Sequence, residues 1–263
     1  MTASQPPAPE LLHDTPEPGV LRLTLNRPTA RNALNTALLG AVADALDAAS
    51  TDPAVHAVVL TGGPAIFAAG ADIKELATRD TAGALDDVRV GHWQRIRRFP
   101  KPIVAAVNGL ALGGGCELAM SADIIVAGMG AKFGQPEINL GLVPGAGGTQ
   151  ILARLAGPQI AMKLVLAGET IDATEAKQCG LVAETVADET CQTRAVALAA
   201  KIAAKPALAV RLGKELVRAA RDVPLEQGLL FERKAFAALI ATVDFREGVA
   251  AFLEKRPAKF AGK

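Results

Sequence analysis

The chain has 263 residues, half of them hydrophobic, and a formal net charge of +1. This length suits one large domain, or one domain with a small appendage. The neutral charge balance and the absence of tyrosine argue against a basic, base-stacking surface for nucleic acid. The uncharged stretches 102–116 and 138–153 are short and broken by glycine and proline, so no membrane span is expected.

The N-terminus and the cysteines indicate a cellular compartment. The start, MTASQPPAPE, lacks the basic and apolar regions of a signal peptide. Cys116, Cys179 and Cys191 have no metal-like spacing and are interpreted as reduced thiols. We therefore expect a cytoplasmic protein, and a disordered tail over residues 1–18.

Strands and helices alternate after that tail. Alternating apolar residues predict a strand at Val20–Leu25, helical spacing follows at Thr36–Ser50, and Ala54–Gly62 is again typical of a strand. KPIVAAVNG then indicates a buried strand, CELAMSAD a short helix and DIIVAG another strand. This interleaving predicts an α/β fold, with its core at 19–195.

The last part of the chain, from about Val196, has helical patterns and little strand character. Its segments are ALAAKIAAK, PALAVRLGKELVRAARD, LEQGLLFERKAFAALIA and FREGVAAFLEKR. They predict a separate C-terminal helical subdomain over 196–263.

Common catalytic motifs do not occur in this chain. It has neither a G-x-G-x-x-G nor a phosphate-binding P-loop motif, and none of its three serines has the flanking glycines of a hydrolase nucleophile. The three histidines have no metal-binding spacing, so no metal site is expected. What remains is three loops rich in backbone N–H groups, at Phe67–Glu75, Leu112–Glu117 and Phe133–Gln150.

The middle loop, LGGGCE, joins a strand to a helix. The first N–H groups of a helix have no partner within it, and glycine lets a ligand approach them, so Gly113 and Gly114 suit an oxyanion. A second donor beside Gly70 would complete a pair able to stabilise the enolate of a thioester. Glu117, one helical turn further on, and Glu137 could hold one water and move its protons. The helix dipole would lower the pKa of Glu117 and burial would raise it, and the sequence leaves the balance open.

Each of these features also has a purely structural interpretation. A glycine-rich turn before a helix often serves close packing, and a single glutamate usually lies on a solvated face. PGAGG alone could be a flexible helix start. The occurrence of all three loops in this order favours a site.

Long segments of the chain resemble the enoyl-CoA hydratase/isomerase (crotonase) family. The segments are LTLNRPTARNALN, AAGADIKE, AAVNGLALGGGCELAMSADI, FGQPEINLGLVPGAGGTQ, LAGETIDATEAKQCGLVAETV and EGVAAFLEKR. They cover nearly the whole chain beyond the tail.

The resemblance implies a crotonase-like spiral of strand–strand–helix units with a C-terminal helical trimerisation region, assembled as a homotrimer or a dimer of trimers. It implies no cofactor, since coenzyme A is part of the acyl-CoA substrate. The implied oxyanion donors are the N–H groups of Ala71 and Gly114. The implied coenzyme A contacts are Ala69, Gly70, Asp72, Ile73, Lys74 and, possibly reaching a neighbouring subunit, Lys255.

The presence of both glutamates resembles the hydratases, which add water syn across a trans-2-enoyl-CoA to give a 3-hydroxyacyl-CoA. Glu117 would orient and deprotonate the water, and Glu137 would protonate C2. A Δ3-Δ2-enoyl-CoA isomerase, which needs only Glu137, is the nearest alternative. A non-catalytic acyl-CoA- or RNA-binding member of the family is another.

The resemblance to hydratases extends to those acting on 2,3-dehydroadipyl-CoA in bacterial phenylacetate degradation, and to short-chain hydratases. A dehydroadipyl chain ends in a carboxylate, which calls for a cation or water in the pocket. Candidates are Arg89, His92, Arg95, Arg97 and Arg98. The alternative is that they form a solvated helix face.

Overall fold

The computed structural model describes residues 8–263. Its strands are β1 (Leu11–Glu17), β2 (Val20–Leu25), β3 (Ala57–Thr61), β4 (Ile103–Val107), β5 (Leu110–Leu112), β6 (Ile124–Gly128), β7 (Lys132–Gly134), β8 (Thr170–Asp172) and β9 (Glu184–Val186). Its α-helices are α1 (Thr36–Thr51), α2 (Ile73–Leu76), α3 (Thr81–Leu85), α4 (Val88–Arg98), α5 (Gly114–Ser121), α6 (Gln150–Ala156), α7 (Pro158–Ala167), α8 (Ala173–Gln178), α9 (Cys191–Ala203), α10 (Ala207–Ala219), α11 (Leu225–Ile240) and α12 (Val243–Leu253). Short 3-10 helices lie at Pro28–Ala30, Pro136–Leu140 and Asp188–Thr190.

The strands form two sheets. The larger has the order β1-β2-β3-β4-β6-β9, and the smaller β5-β7-β8. The first pair, β1 and β2, is antiparallel, and the rest of the large sheet is parallel. Because β4 and β6 join the large sheet while β5 and β7 join the small one, each turn of the chain adds a strand to both. The α/β spiral expected from the resemblance is confirmed.

The core lies on both faces of the large sheet. Every residue of β3 and β4 is buried, the pattern of parallel strands that are covered on both sides. One face packs against Leu38, Val42 and Leu46 of α1. The other packs against α9 through Ala195 and Ala199.

Helices α10 to α12 lie outside these two cores. Phe252 and Leu253 of α12 are 83% and 74% exposed. The buried carboxylate of Asp244 anchors the end of the chain by accepting from the N–H groups of Ala261 and Gly262. The C-terminal region is helical, as the sequence pattern predicts.

Two predicted boundaries differ from the structure. Residues 11–17, placed in the disordered tail, form β1, because pairing with β2 and an Asp14–Arg22 ion pair stabilise a segment of weak strand propensity. Residues 1–7 of that predicted tail lie outside the described residues. The predicted boundary at 195/196 falls inside α9, which belongs to the core because its apolar face covers the sheet.

Between residues 8 and 263, no helix is both long enough and apolar enough to cross a membrane.

Candidate active site

The glycine-rich loop between β5 and α5 is shaped by backbone geometry that other residues resist. Gly113 has φ +49°, in the region that favours glycine, and α5 begins at Gly114. A Cβ on Gly115 would lie 2.2 Å from the carbonyl oxygen of Ala68, so the helix approaches its neighbour too closely for any side chain. The glycines of this segment therefore allow the N-terminus of α5 to lie directly against the backbone of Ala68.

The loop containing Gly70 faces this helix start. Gly70 has φ +127°, and the next residue, Ala71, forms an isolated parallel bridge with Leu34. A Cβ on Gly114 would lie 3.5 Å from the Ala71 nitrogen. Within residues 8–263, the N–H groups of Ala71 and Gly114 donate to no acceptor. The structure thus brings together the two predicted donors, both free to bind an oxygen.

Glu117 is 3% exposed and is held by the loop before α6. Its Oε1 accepts from the N–H groups of Ala146 and Gly148, each at 2.7 Å. Burial raises the pKa of Glu117 above its usual range, and these two hydrogen bonds and the charge of Arg97 offset part of the increase. Burial therefore affects the pKa of Glu117 more than the groups that stabilise its carboxylate do. The sequence alone left this balance open.

Glu137 lies opposite, in the 3-10 helix that follows β7. A Cβ on Gly113 would be 2.8 Å from its Oε1, so its carboxyl group lies directly against the glycine loop. Burial raises the pKa of Glu137 to about 7, and the charge of Glu117 contributes. With its amide nitrogen turned toward Glu137, the buried Gln135 side chain lies 3.2 Å from both carboxylate oxygens. This carboxyl group is therefore still partly protonated at neutral pH.

The segment Ala69–Lys74, predicted to contact coenzyme A, contains the turn at Gly70 and Ala71 and continues into the start of α2. The Ala69 N–H donates to the Arg31 carbonyl. The Asp72 carboxylate caps α2 and pairs with Arg27 at 3.0 Å, so it serves the chain's own structure. Ile73 is 49% exposed, and Lys74 is exposed as well.

Lys255 follows α12 in the C-terminal region, with a backbone φ of +54°. None of the hydrogen bonds or ion pairs described for residues 8–263 joins it to the segment Ala69–Lys74. Its implied role in coenzyme A binding stays a prediction.

The five side chains of α4 that were candidates for binding a substrate carboxylate contact different parts of the structure. Arg89 pairs with Asp87, and Arg95 pairs with Asp44 and Asp47 on α1. The His92 ring lies against Gly40, and Arg98 is exposed. Arg97 alone of the five contacts the loop that holds Glu117, by donating to the Ala146 carbonyl at 3.1 Å. The five residues do not form one pocket.

A cavity of about 550 Å³ lies behind that loop. Its walls include Ala146, Gly147 and the apolar side chains of Val90, Trp93 and Ile151. Four arginines also line it: Arg97, Arg154, Arg218 and Arg221. Asp222 is the acidic residue among the lining residues, so the cavity carries an excess of positive charge.

Sequence reasoning missed the contacts of Ala146, Gly148 and Arg97 with the site. The glycines of PGAGG were recognised as a loop rich in N–H groups, but not as the support of Glu117. Nothing local in the sequence indicates that this loop, about thirty residues further on, meets the α5 carboxylate.

Comparisons with known proteins identify the family of the chain. The family model described as "Enoyl-CoA hydratase/isomerase" matches residues 15–263. A 2,3-dehydroadipyl-CoA hydratase of Escherichia coli (strain K12) is 49% identical over 244 residues, which are 93% of this chain and 96% of that protein. A crotonyl-CoA hydratase of Syntrophomonas wolfei is 43% identical, over 92% of this chain and 94% of its own length. A crystal structure of an enoyl-CoA hydratase subunit from Geobacillus kaustophilus HTA426 superposes with a TM-score of 0.93 and 44% identity, over 97% of this chain and 98% of that one. The chain belongs to the enoyl-CoA hydratase/isomerase family.

Proposed function

We propose that the protein is an enoyl-CoA hydratase, a hydro-lyase that adds water to a trans-2-enoyl-CoA and forms a 3-hydroxyacyl-CoA. The observation that carries this proposal is the pair of carboxyl groups beside two free N–H donors. One carboxyl group, Glu117, accepts two N–H bonds that favour its charged form. The other, Glu137, has a pKa of about 7, so that a substantial part of it still carries the proton at neutral pH.

In the proposed reaction the thioester oxygen lies between the N–H groups of Ala71 and Gly114, which stabilise the enolate. Glu117 accepts a proton from water as the water oxygen bonds to C3. The electron pair of the C2–C3 double bond moves into the enolate, and C2 then takes the proton of Glu137. Water thus adds its oxygen to C3 and a proton to C2 from the same face, and the resulting charges of Glu117 and Glu137 are restored by proton exchange.

The experiment that tests this proposal is loss of the ultraviolet absorbance of crotonyl-CoA. We expect fast loss with the wild-type protein. Glu117→Gln and Glu137→Gln should each slow it by about 10²- to 10⁴-fold, the usual range for a general acid or base. A rate within a few-fold of wild type in either variant would contradict the assignment, and isomerisation of a 3-enoyl-CoA that survives Glu117→Ala would indicate an isomerase.

For the acyl chain we propose 2,3-dehydroadipyl-CoA or a short-chain enoyl-CoA, with a corresponding place in phenylacetate or fatty acid breakdown. The Escherichia coli relative, named for the first of these substrates, supports a chain that ends in a carboxylate. The arginines of the cavity behind Glu117 offer such a group its counter-charge. We propose Arg221 as one of its partners, since it lines this cavity and is exposed.

The test compares 2,3-dehydroadipyl-CoA with trans-2-hexenoyl-CoA, which has the same six carbons and no terminal charge. We expect Arg221→Gln to lower kcat/KM for the charged substrate only. Arg211→Gln is the matched control, because Arg211 lies on α10, the helix that ends two residues before Arg221, pairs with Glu215 and does not line this cavity. An unchanged ratio of the two kcat/KM values in Arg221→Gln would contradict this part of the proposal.

We also propose that the protein assembles as a homotrimer or a dimer of trimers in the cytoplasm and needs no added cofactor. Exposed apolar side chains on α11 and α12 support an assembly, since a contiguous apolar surface on a helical region is typical of an interface. In such an assembly Lys255 would contact the coenzyme A phosphates bound to a neighbouring subunit.

A further inference from the structure

The position of Glu117 depends on the loop at residues 144–148. Both hydrogen bonds to its carboxylate come from this loop, and both go to Oε1. The loop has no regular secondary structure and contains Gly145, Gly147 and Gly148. A chain with so many glycines has little conformational preference of its own, so something else must hold the two N–H groups in place.

The Arg97 guanidinium provides that support. Its Nη1 donates to the Ala146 carbonyl at 3.1 Å, and the N–H of Ala146 donates to the Glu117 carboxylate. Arg97 is half-buried, so water competes poorly for this hydrogen bond. One residue of the loop thereby connects the end of α4 to the Glu117 carboxylate on α5.

Arg97 is itself fixed from the C-terminal helices. Its carbonyl oxygen accepts from Arg218 of α10. The Arg218 guanidinium also donates to the Ser121 carbonyl at 3.0 Å and to the Asp123 carboxylate at 2.9 Å. Arg218 therefore holds the C-terminal ends of α4 and α5 together. The backbone of Arg97 consequently has a fixed position relative to α5, the helix that carries Glu117.

We propose that Arg97 is a positioning residue for hydration: it holds the loop that orients the Glu117 carboxylate, and its charge stabilises the ionised form that must accept the proton of water. Arg97 does not touch the substrate in this role. The inference rests on the proposed hydratase activity and goes beyond it, by assigning a function to an arginine outside the glycine loops.

The charged surroundings of Glu117 set the expected effect on pH dependence. The titratable groups that face it among the described residues are Arg97 from α4, Glu137 from the 3-10 helix and its own neighbour Cys116. Arg97 is the positive one and lowers the pKa of Glu117. Removing this charge raises the pKa of Glu117, so the low-pH limb of kcat/KM should move to higher pH.

Three substitutions of Arg97 separate its hydrogen bond to the loop from the effect of its charge on Glu117. Arg97→Met removes the donor and the charge, and Arg97→Gln keeps a donor without the charge. Arg97→Lys keeps the charge and a donor group but loses the planar guanidinium. Arg98→Met is the matched control, since Arg98 is the exposed neighbour on the same helix. The measurement is the pH profile of kcat and KM for crotonyl-CoA, together with the melting temperature of each variant.

We expect Arg97→Met to lower kcat about tenfold, the factor of one charge-assisted hydrogen bond, with little change in KM. Its low-pH limb should shift to higher pH, because the positive charge that favours ionised Glu117 is gone. Arg97→Gln should show the shift with a smaller loss of kcat, and Arg97→Lys should restore the limb. Arg98→Met should match the wild type.

Three results would overturn the inference: a wild-type kcat and pH limb in Arg97→Met, a loss confined to KM, or equal impairment of Arg97→Lys and Arg97→Met. If the wild-type protein does not hydrate crotonyl-CoA or 2,3-dehydroadipyl-CoA, the proposed function itself fails, and the two failures are distinguished.

Discussion

The two carboxyl groups of the site have the same chemistry but different surroundings. Glu117 is almost fully buried and receives two N–H donors, whereas Glu137 is half-buried and lies against the glycine loop. Burial raises the pKa of both, and two backbone hydrogen bonds oppose this increase at Glu117, against one at Glu137. This difference allows one group to act as base while the other acts as acid.

A bell-shaped pH profile of kcat/KM for hydration of crotonyl-CoA follows from this difference. Glu137 must hold its proton, and because its pKa is about 7 the rate should fall as pH rises above that value. Glu117 must be ionised, so the rate should also fall at low pH, with a limb above the ordinary glutamate range. A rate that stays constant from pH 6 to pH 9 would contradict the role of Glu137 as acid.

The raised pKa of Glu137 also predicts a pH-dependent stability. The folded protein binds this proton more tightly than the unfolded chain, so the stability present below about pH 4.5 is lost as pH rises to about 7. Glu137→Gln has no ionisation to lose. We therefore expect its melting temperature to exceed that of the wild type by more at pH 8 than at pH 5. An equal difference at both pH values would show that this carboxyl group has no such effect.

Among the elements, α5 is constrained by its close contact with the backbone of Ala68 rather than by helix propensity. Gly115→Ala would place a Cβ 2.2 Å from the Ala68 carbonyl oxygen, so α5 would have to move. We expect a loss of about 1–3 kcal/mol in the free energy of unfolding, measured with urea, and reduced activity. Gly213→Ala on α10 is the control, since nothing lies within 4 Å and alanine favours a helix. Equal stability of the two variants would contradict the close contact.

The elements also show what local sequence can predict. The strands β2, β3, β4 and β6 and the long helices follow from apolar periodicity, which local composition displays. Three-residue strands such as β5, β7 and β8 are too short to show a period, and β1 owes its strand form to its pairing with β2. The same limit applies to the site. The glycine loops and both glutamates are visible in the sequence, whereas the Ala146 and Arg97 contacts depend on segments that only the fold brings together.

For the whole molecule, the C-terminal helices expose more apolar surface than a lone chain would favour. A groove of about 670 Å³ between α10, α11 and α12 is lined by apolar side chains that include Phe236, Phe245 and Phe252. Covering such a surface in an assembly would stabilise it by roughly 25 cal/mol for each Å² removed from water. The fold thus has a region suited to contact between copies of the chain.

Phe252→Asp should weaken this assembly, because a carboxylate would take the place of a phenyl ring that is 83% exposed in the single chain. We expect the wild-type protein to sediment as a trimer or hexamer and the variant to sediment as smaller species at the same concentration. Phe252→Leu keeps an apolar side chain and should sediment like the wild type. An unchanged sedimentation coefficient in Phe252→Asp would place the interface elsewhere.

The β-bridge between Leu34 and Ala71 determines how much the Ala71 amide group must reorganise during the reaction. The Leu34 N–H donates to the Gly70 carbonyl, and the Asp72 N–H donates to the Leu34 carbonyl, so the peptide groups on both sides of Ala71 are fixed in the free protein. Folding consequently aligns the Ala71 amide dipole, which in the proposed reaction meets the developing enolate, and little reorganisation is left for the moment of reaction. Loosening this short β-like pairing should therefore slow the chemical step more than it weakens substrate binding.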